Sequence, residues 1–210
     1  LPVKVAVSAA IILALLVFPT AFLLSFAFGL ICVVYFLLML AYSKWLKQVM
    51  IIDVMVIAAG FLLRVFAGIS VIKVTFFSPW LFLLTGLLAL FLGLGKRLAE
   101  LRLLEGNAGE FRKVLNGYSA PLLNQYLVVM LASILISYML YTFSAWPQGP
   151  SYGMMTTIPF VLYGILRYMY LIQNFNTAST PEEVLLKDRP LQAAIFLWGM
   201  AVLLILYLRP

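Results

Sequence analysis

Long uninterrupted apolar runs constrain this chain more than any other feature. A helix that crosses a bilayer needs about 20 mostly apolar residues. Seven such runs are read, at about 3–18, 21–41, 49–72, 79–95, 122–145, 153–173 and 191–208. They are continuous, without the alternation of a membrane β-strand, so the expected fold is an all-α integral membrane helical bundle. Residues 1–210 read as a single transmembrane domain. Composition enters as a check: 65% of the residues are hydrophobic and 10% charged, where a soluble domain is roughly half apolar and a quarter charged. An aqueous enzyme domain, a disordered chain and a secreted disulfide scaffold are thereby excluded. Phe18-Pro19-Thr20 is expected to end the first span in a tight hairpin, because proline has no N–H to continue a helix.

The chain carries 14 Lys+Arg against 7 Asp+Glu, a net charge of +7. Alternating the gaps between spans puts Lys4, Lys44, Lys47, Lys96, Arg97, Arg102, Arg112, Lys113, Lys187 and Arg189 on one side and only Lys73 and Arg209 on the other. By the positive-inside bias the first side is expected to be cytoplasmic. Any chemistry is expected at that face, where the two long connections, about 96–121 and 174–190, also lie. No aromatic-and-basic motif points to nucleic acid. The chain has no histidine, and its one cysteine, Cys32, sits within an apolar run. Ser-His and Cys-His nucleophiles and imidazole metal sites are therefore excluded. A metal would have to be a hard cation on carboxylate oxygens.

Polar residues inside apolar runs are costly and face an interior or a wet cavity. Asp53 and Arg64 lie in the third run; eleven residues is about three turns, so they share a face roughly 16 Å apart. Each is either structural, paired to a neighbouring helix, or part of a site. Gly60 and Gly68 read as close-packing positions. If the fourth helix continues beyond the membrane, Lys96, Arg97 and Glu100 share one face. Glu100 then either pairs with Lys96 or holds magnesium while the bases take phosphate oxygens. Arg112, Lys113 and Tyr118 add donors before Pro121, opposite Tyr42, Lys44 and Lys47. Any one of these bases reads more simply as a topology signal or headgroup contact; the cluster reads as an anion site. Gly93 and Gly95 read as packing. The segment from Thr180 to Pro190 reads as a short interfacial helix with Thr180 at the N-cap and Pro181 at its first position. Asp188 and Arg189 read as a solvated connector rather than site residues.

The order Tyr42-Ser43-x-x-Leu46-Lys47, Asp53 to Gly60-Phe61-x-x-Arg64, Gly95-Lys96-Arg97-x-x-Glu100-Leu101, Arg112 to Tyr118, Pro181-Glu182-Glu183-Val184-Leu185 and Asp188-Arg189-Pro190-Leu191 resembles the UbiA prenyltransferase superfamily. Within it the chain is most similar to the branch that transfers phosphoribose to decaprenyl phosphate. The resemblance implies nine transmembrane helices around a cavity open to the cytoplasm and to lipid, in a bacterial plasma membrane. Seven are read here. The family's first aspartate-rich motif, N-D-x-x-D-x-x-x-D, is not found, so the chain is expected to be the C-terminal part of the fold and to show no turnover by itself. A homo-oligomer or a second chain supplying the missing helices is the corresponding expectation for partners. Where the family carries a second D-x-x-x-D, this chain has Lys96-x-x-x-Glu100, which weakens metal binding and adds a fixed cation for phosphate. Tyr42 to Lys47 is also one residue longer than the family's Y-x-x-x-K.

The resemblance implies a polyprenyl phosphate attacking C1 of phosphoribosyl diphosphate, with Mg2+ on the diphosphate. Lys47, Lys96, Arg97 and Glu100 then stand in the catalytic positions, Glu100 also as a metal ligand. Tyr42, Asp53, Arg112, Lys113 and Tyr118 stand as substrate-binding or base-orienting residues. Two alternatives remain open at this point: a UbiA-type enzyme alkylating an aromatic acceptor with a prenyl diphosphate, and a non-catalytic transporter-like bundle.

Overall fold

A computed structural model describes residues 3–72, 78–103, 113–144, 152–174 and 181–207. Among the described residues nine α-helices run in the order α1 (Val3–Leu24), α2 (Phe26–Lys44), α3 (Ile52–Ile72), α4 (Pro79–Leu103), α5 (Ala120–Ser144), α6 (Tyr152–Met155), α7 (Ile158–Asn174), α8 (Pro181–Lys187) and α9 (Arg189–Tyr207). Two short 3-10 turns, Leu46–Gln48 and Lys113–Gly117, join them at one end of the bundle. Among the described residues there is no strand, and seven helices are long and apolar enough to cross a membrane. The protein is an all-α multi-pass membrane bundle, as expected.

The expected hairpin at Pro19 is corrected. α1 runs through Pro19 to Leu24, and the chain reverses at Ser25, whose extended backbone (φ −165°, ψ 137°) begins α2. Proline is tolerated inside an apolar membrane helix; it leaves the Leu15 carbonyl without its usual N–H donor, and the neighbouring Thr20 hydroxyl bonds the carbonyls of Leu16 (2.9 Å) and Val17 (3.0 Å). Other boundaries shift as well. The third span starts only at Ile52, after a 3-10 turn. The fourth continues to Leu103, past the expected end at 95. The sixth is divided by the Thr156-Thr157 turn between α6 and α7, and the last begins at Arg189.

α4 is the central helix. In its apolar stretch 39% of residues are buried, against 6% in α1 and α2. It packs chiefly on α5 and α3 and also meets α7. Phe91, Leu94 and Leu98 join Leu123, Leu127 and Ile134 of α5 and Ile165, Tyr168 and Ile172 of α7 in one cluster. Lipid tails are as apolar as leucine, so such helices gain by close fit rather than by escape from water. Gly93 and Gly95 supply that fit: a Cβ on Gly93 would stand 2.5 Å from Val54 Cγ1 of α3, and one on Gly95 would stand 2.9 Å from Ile172 Cδ1 of α7. Both read correctly as packing. Gly60 also packs, against Met39 and Tyr35, but Gly68 does not: nothing lies within 4 Å of its missing Cβ. It borders a cavity of about 600 Å³ between α1, α2 and α3 that Arg64 also lines.

At the opposite end from the 3-10 turns, Trp198 of α9 donates its indole N–H to Tyr138 of α5 (2.8 Å), whose hydroxyl meets Thr157 at 2.5 Å. At the end with the 3-10 turns, the Arg102 guanidinium donates to the carbonyls of Ile172 (2.7 Å) and Gln173 (3.0 Å) in the last turn of α7. It satisfies acceptors that a helix terminus leaves open. α4 and α7 are thereby tied together beside the charged cluster described next.

Candidate functional site

Helix direction alone gathers the charged residues. Asp53 lies in the first turn of α3, Arg97 and Glu100 in the last two turns of α4, and Tyr118 just ahead of α5. Because α3 and α4 run antiparallel, all four stand at one end of the bundle. Gly93 and Gly95, one turn earlier on α4, let α3 and α7 approach closely enough for side chains to span the gap.

There the side chains form one hydrogen-bonded line. Arg97 Nε donates to Asp53 Oδ2 at 2.7 Å, and Arg97 Nη1 donates to Glu100 Oε2 at 2.5 Å. Tyr118 donates its hydroxyl to Asp53 Oδ1 at 2.8 Å and accepts the Ile51 N–H at 2.7 Å. Asp53 is 0% exposed and Arg97 2%. Charges this deeply buried need both a partner of opposite sign and filled hydrogen-bond positions, and both oxygens of Asp53 have them. Burial pushes the Tyr118 phenol well above its ordinary pKa, and the Asp53 carboxylate adds to that rise. The phenol therefore stays protonated as a donor.

The structure thus joins four of the residues singled out in the sequence: Asp53, Arg97, Glu100 and Tyr118. Glu100 pairs with Arg97 rather than with Lys96, the partner considered from spacing, because i, i+3 neighbours also meet on a helix. Lys96 is half-buried and Lys47 and Lys113 are exposed, and none has a hydrogen-bond partner among the described residues. The turn carrying Lys47 packs against the turn that opens with Lys113. Tyr42 is half-buried in the last turns of α2 at this same end. Arg112 and Thr180 lie outside the described residues.

Asp53 and Arg64 take different neighbours despite their shared face. Arg64 donates to the Tyr35 hydroxyl of α2 at 2.6 Å and stacks over Phe61, its guanidinium carbon 5.0 Å from the ring centre. α3 lies between α2 and α4, so a long arginine reaches one while a short aspartate faces the other. Asp188 is more than a connector: it receives Arg167 Nη2 at 2.9 Å and the Leu191 N–H at 2.8 Å, capping α9. The Arg167 guanidinium holds its carboxyl below the usual carboxylate range. No spacing rule pairs Arg167 with a residue 21 positions away.

Magnesium fits this cluster only as a cation that a substrate brings. Among the described residues no group of three or more His, Cys, Asp or Glu could enclose a metal. Asp53 has both oxygens engaged. Glu100 Oε1 has no hydrogen-bond partner among the described residues, and the side chain is 20% exposed. One carboxylate oxygen plus diphosphate oxygens is a common way for proteins to hold Mg2+.

No protein-family model matches the chain. It is similar to decaprenyl-phosphate phosphoribosyltransferase of Mycobacterium tuberculosis, 30% identical over 94% of the chain, and to that of Corynebacterium glutamicum, 31% over 100%. It is 32% identical over 81% of its length to the protein of the same name from Mycolicibacterium smegmatis. The chain spans 64% of the length of the first two relatives and 55% of the third.

Proposed function

We infer that this homologue of the decaprenyl-phosphate phosphoribosyltransferases is a membrane transferase that moves 5-phosphoribose from phosphoribosyl diphosphate to a polyprenyl phosphate. The observation that carries the reading is the Arg97 guanidinium fixed between Asp53 and Glu100 at the end of the bundle that also carries Lys47, Lys96 and Lys113. Such an end suits two phosphorylated substrates beside a surface that accepts a lipid chain.

In this reading an oxygen of the lipid phosphate attacks C1 of the ribose. The C1–O bond to diphosphate breaks, and diphosphate leaves with the bonding electrons. The nucleophile is already an anion, so no general base is needed, in keeping with a chain that has no histidine. Catalysis then rests on holding two anions together and on fixed positive charge near the leaving group. Lys47, Lys96, Arg112 and Lys113 hold phosphate oxygens, and Tyr42 contributes a hydroxyl at the same end. Arg97 is enclosed at 2% exposure, so its part is to fix Glu100 and Asp53 and to lend its charge to the local field. Bound magnesium would neutralise charge on the diphosphate, with Glu100 Oε1 as its protein ligand. The positive-inside bias supports a cytoplasmic position for this end, and a bacterial plasma membrane is part of the same proposal.

Because the chain is not expected to turn over by itself, the test uses membranes of cells in which it is expressed with any further segment or partner chain it natively has, with decaprenyl phosphate and phosphoribosyl diphosphate labelled in the ribose. Label should move to the organic phase as diphosphate appears in equal amount. Label remaining in water, while the prenyl group of a prenyl diphosphate is transferred to an aromatic acceptor, would overturn the assignment.

A further inference from the structure

We propose that Tyr118 is a positioning residue: its phenol holds the strained turn before α3, and that turn sets where Lys47 stands relative to Arg97 and Glu100. The proposal rests on the reading of Lys47 as a phosphate ligand.

Ile51 has φ 69°, the one non-glycine residue with positive φ among the described residues. A β-branched side chain there is a genuine outlier, kept only where its surroundings impose it. Its own side chain does not impose it, being 43% exposed. Hydrogen bonds do. The Ile51 N–H is held by Tyr118 Oη at 2.7 Å, and the same oxygen donates to Asp53 Oδ1 at 2.8 Å. On the α3 side, the Asp53 N–H reaches the Val49 carbonyl at 3.0 Å and the Met55 N–H reaches that of Ile51 at 3.0 Å. From the other side Gly117 presses on Met50: a Cβ there would stand 3.2 Å from its Sδ.

The turn is thus pinned between the Asp53 carboxylate, itself locked by Arg97, and the segment ending at Tyr118. Lys47 lies on the 3-10 turn immediately before it, and that 3-10 turn packs on α2, α3 and the Lys113–Gly117 turn. Tyr118 is 5% exposed and its oxygen serves both Ile51 and Asp53, which argues against direct contact with a ribose hydroxyl.

The experiment compares the wild-type protein, Tyr118→Phe and the double variant Tyr118→Phe/Ile51→Gly, each expressed with any further segment or partner chain the protein natively has. It measures inorganic diphosphate affinity by calorimetry, KM and kcat for phosphoribosyl diphosphate, and hydrogen exchange of the residue-51 amide. Tyr118→Phe should expose that amide to exchange and weaken diphosphate binding and raise KM by about tenfold, with a smaller change in kcat. Glycine adopts positive φ without strain, so the double variant should recover most of the affinity while its amide stays unprotected. Unchanged affinity in Tyr118→Phe, or no recovery in the double variant, overturns the proposal, the second outcome indicating direct contact of the phenol with ligand. Absence of transfer by the wild-type protein with this binding pattern intact overturns the transferase reading alone.

Discussion

Arg97 and Asp53, 44 residues apart in sequence, form an ion pair of 2.7 Å with side-chain exposures of 2% and 0%. Removing one member of such a pair leaves the other buried and uncompensated. Asp53→Asn should therefore lower stability by about 3 kcal/mol, read from unfolding in detergent. The double variant Asp53→Leu/Arg97→Met should lose less than the sum of the two single changes, because neither charge is then stranded. Additive losses would show that the pair is not coupled.

Gly95 places α7 against α4 two residues before Arg97. In Gly95→Val the new Cβ meets Ile172 Cδ1 at 2.9 Å and Tyr168 Oη at 3.1 Å, so α7 must move. The expected cost is about 1–3 kcal/mol, and Gly95→Ala should fall at the low end of that range. Thermal unfolding of both variants checks the order.

Asp188 and Arg167 link the connection before α9 to α7. The Asp188 carboxyl is held below its ordinary value of 3.8, first by the hydrogen bond from Arg167. A depressed folded-state pKa means stability that is present above the unfolded value and lost as pH falls through the folded one. Asp188→Asn keeps the side-chain oxygen that caps α9 but not the charge. The difference in Tm between wild type and this variant should be constant from neutral pH to about 5 and shrink below about 4. A difference that grows on acidification would contradict the pairing.

The seven spans were legible because lipid imposes a length and a composition that few other environments require. The residues of the charged line were legible too: Asp53 as a costly group in an apolar run, Arg97 and Glu100 as one face of a continued helix. Their pairing was not, since nothing local relates position 53 to position 97. The Pro19 hairpin failed because a breaker rule suited to water was applied inside an apolar helix, where proline is tolerated. Ile51 gave no signal at all: positive φ is announced by glycine or asparagine, and here it is imposed from 67 residues away by Tyr118.

Among the described residues, Glu100 is the acid of the line with an oxygen that no hydrogen bond engages. Glu100→Gln keeps a carbonyl oxygen for Arg97 Nη1 but removes the charge. Under the transferase reading it should raise the magnesium concentration needed for half-maximal transfer by about tenfold while changing Tm little, the side chain being 20% exposed. A large loss of Tm with no change in the magnesium requirement would instead assign Glu100 wholly to holding Arg97.

Lys47 and Lys96 separate binding from folding most cleanly. Neither has a hydrogen-bond partner among the described residues, and Lys47 is exposed on its turn. A lysine with no protein partner contributes little to stability, so Lys47→Met and Lys96→Met should unfold close to wild type. A hydrogen bond between charged groups contributes about 1.5–3 kcal/mol. Each substitution should therefore weaken diphosphate binding by about one to two orders of magnitude. Part of that binding is coulombic and screened by salt, so the gap between wild type and variant should narrow as ionic strength rises. Lys44 serves as the comparison: its ammonium stands 6.0 Å from the centre of the Trp45 ring, on the turn leaving α2, and Lys44→Met should bind diphosphate as wild type does. If all three variants weaken binding equally, the basic end acts as a diffuse surface charge; a loss confined to Lys47 and Lys96 marks a built phosphate site.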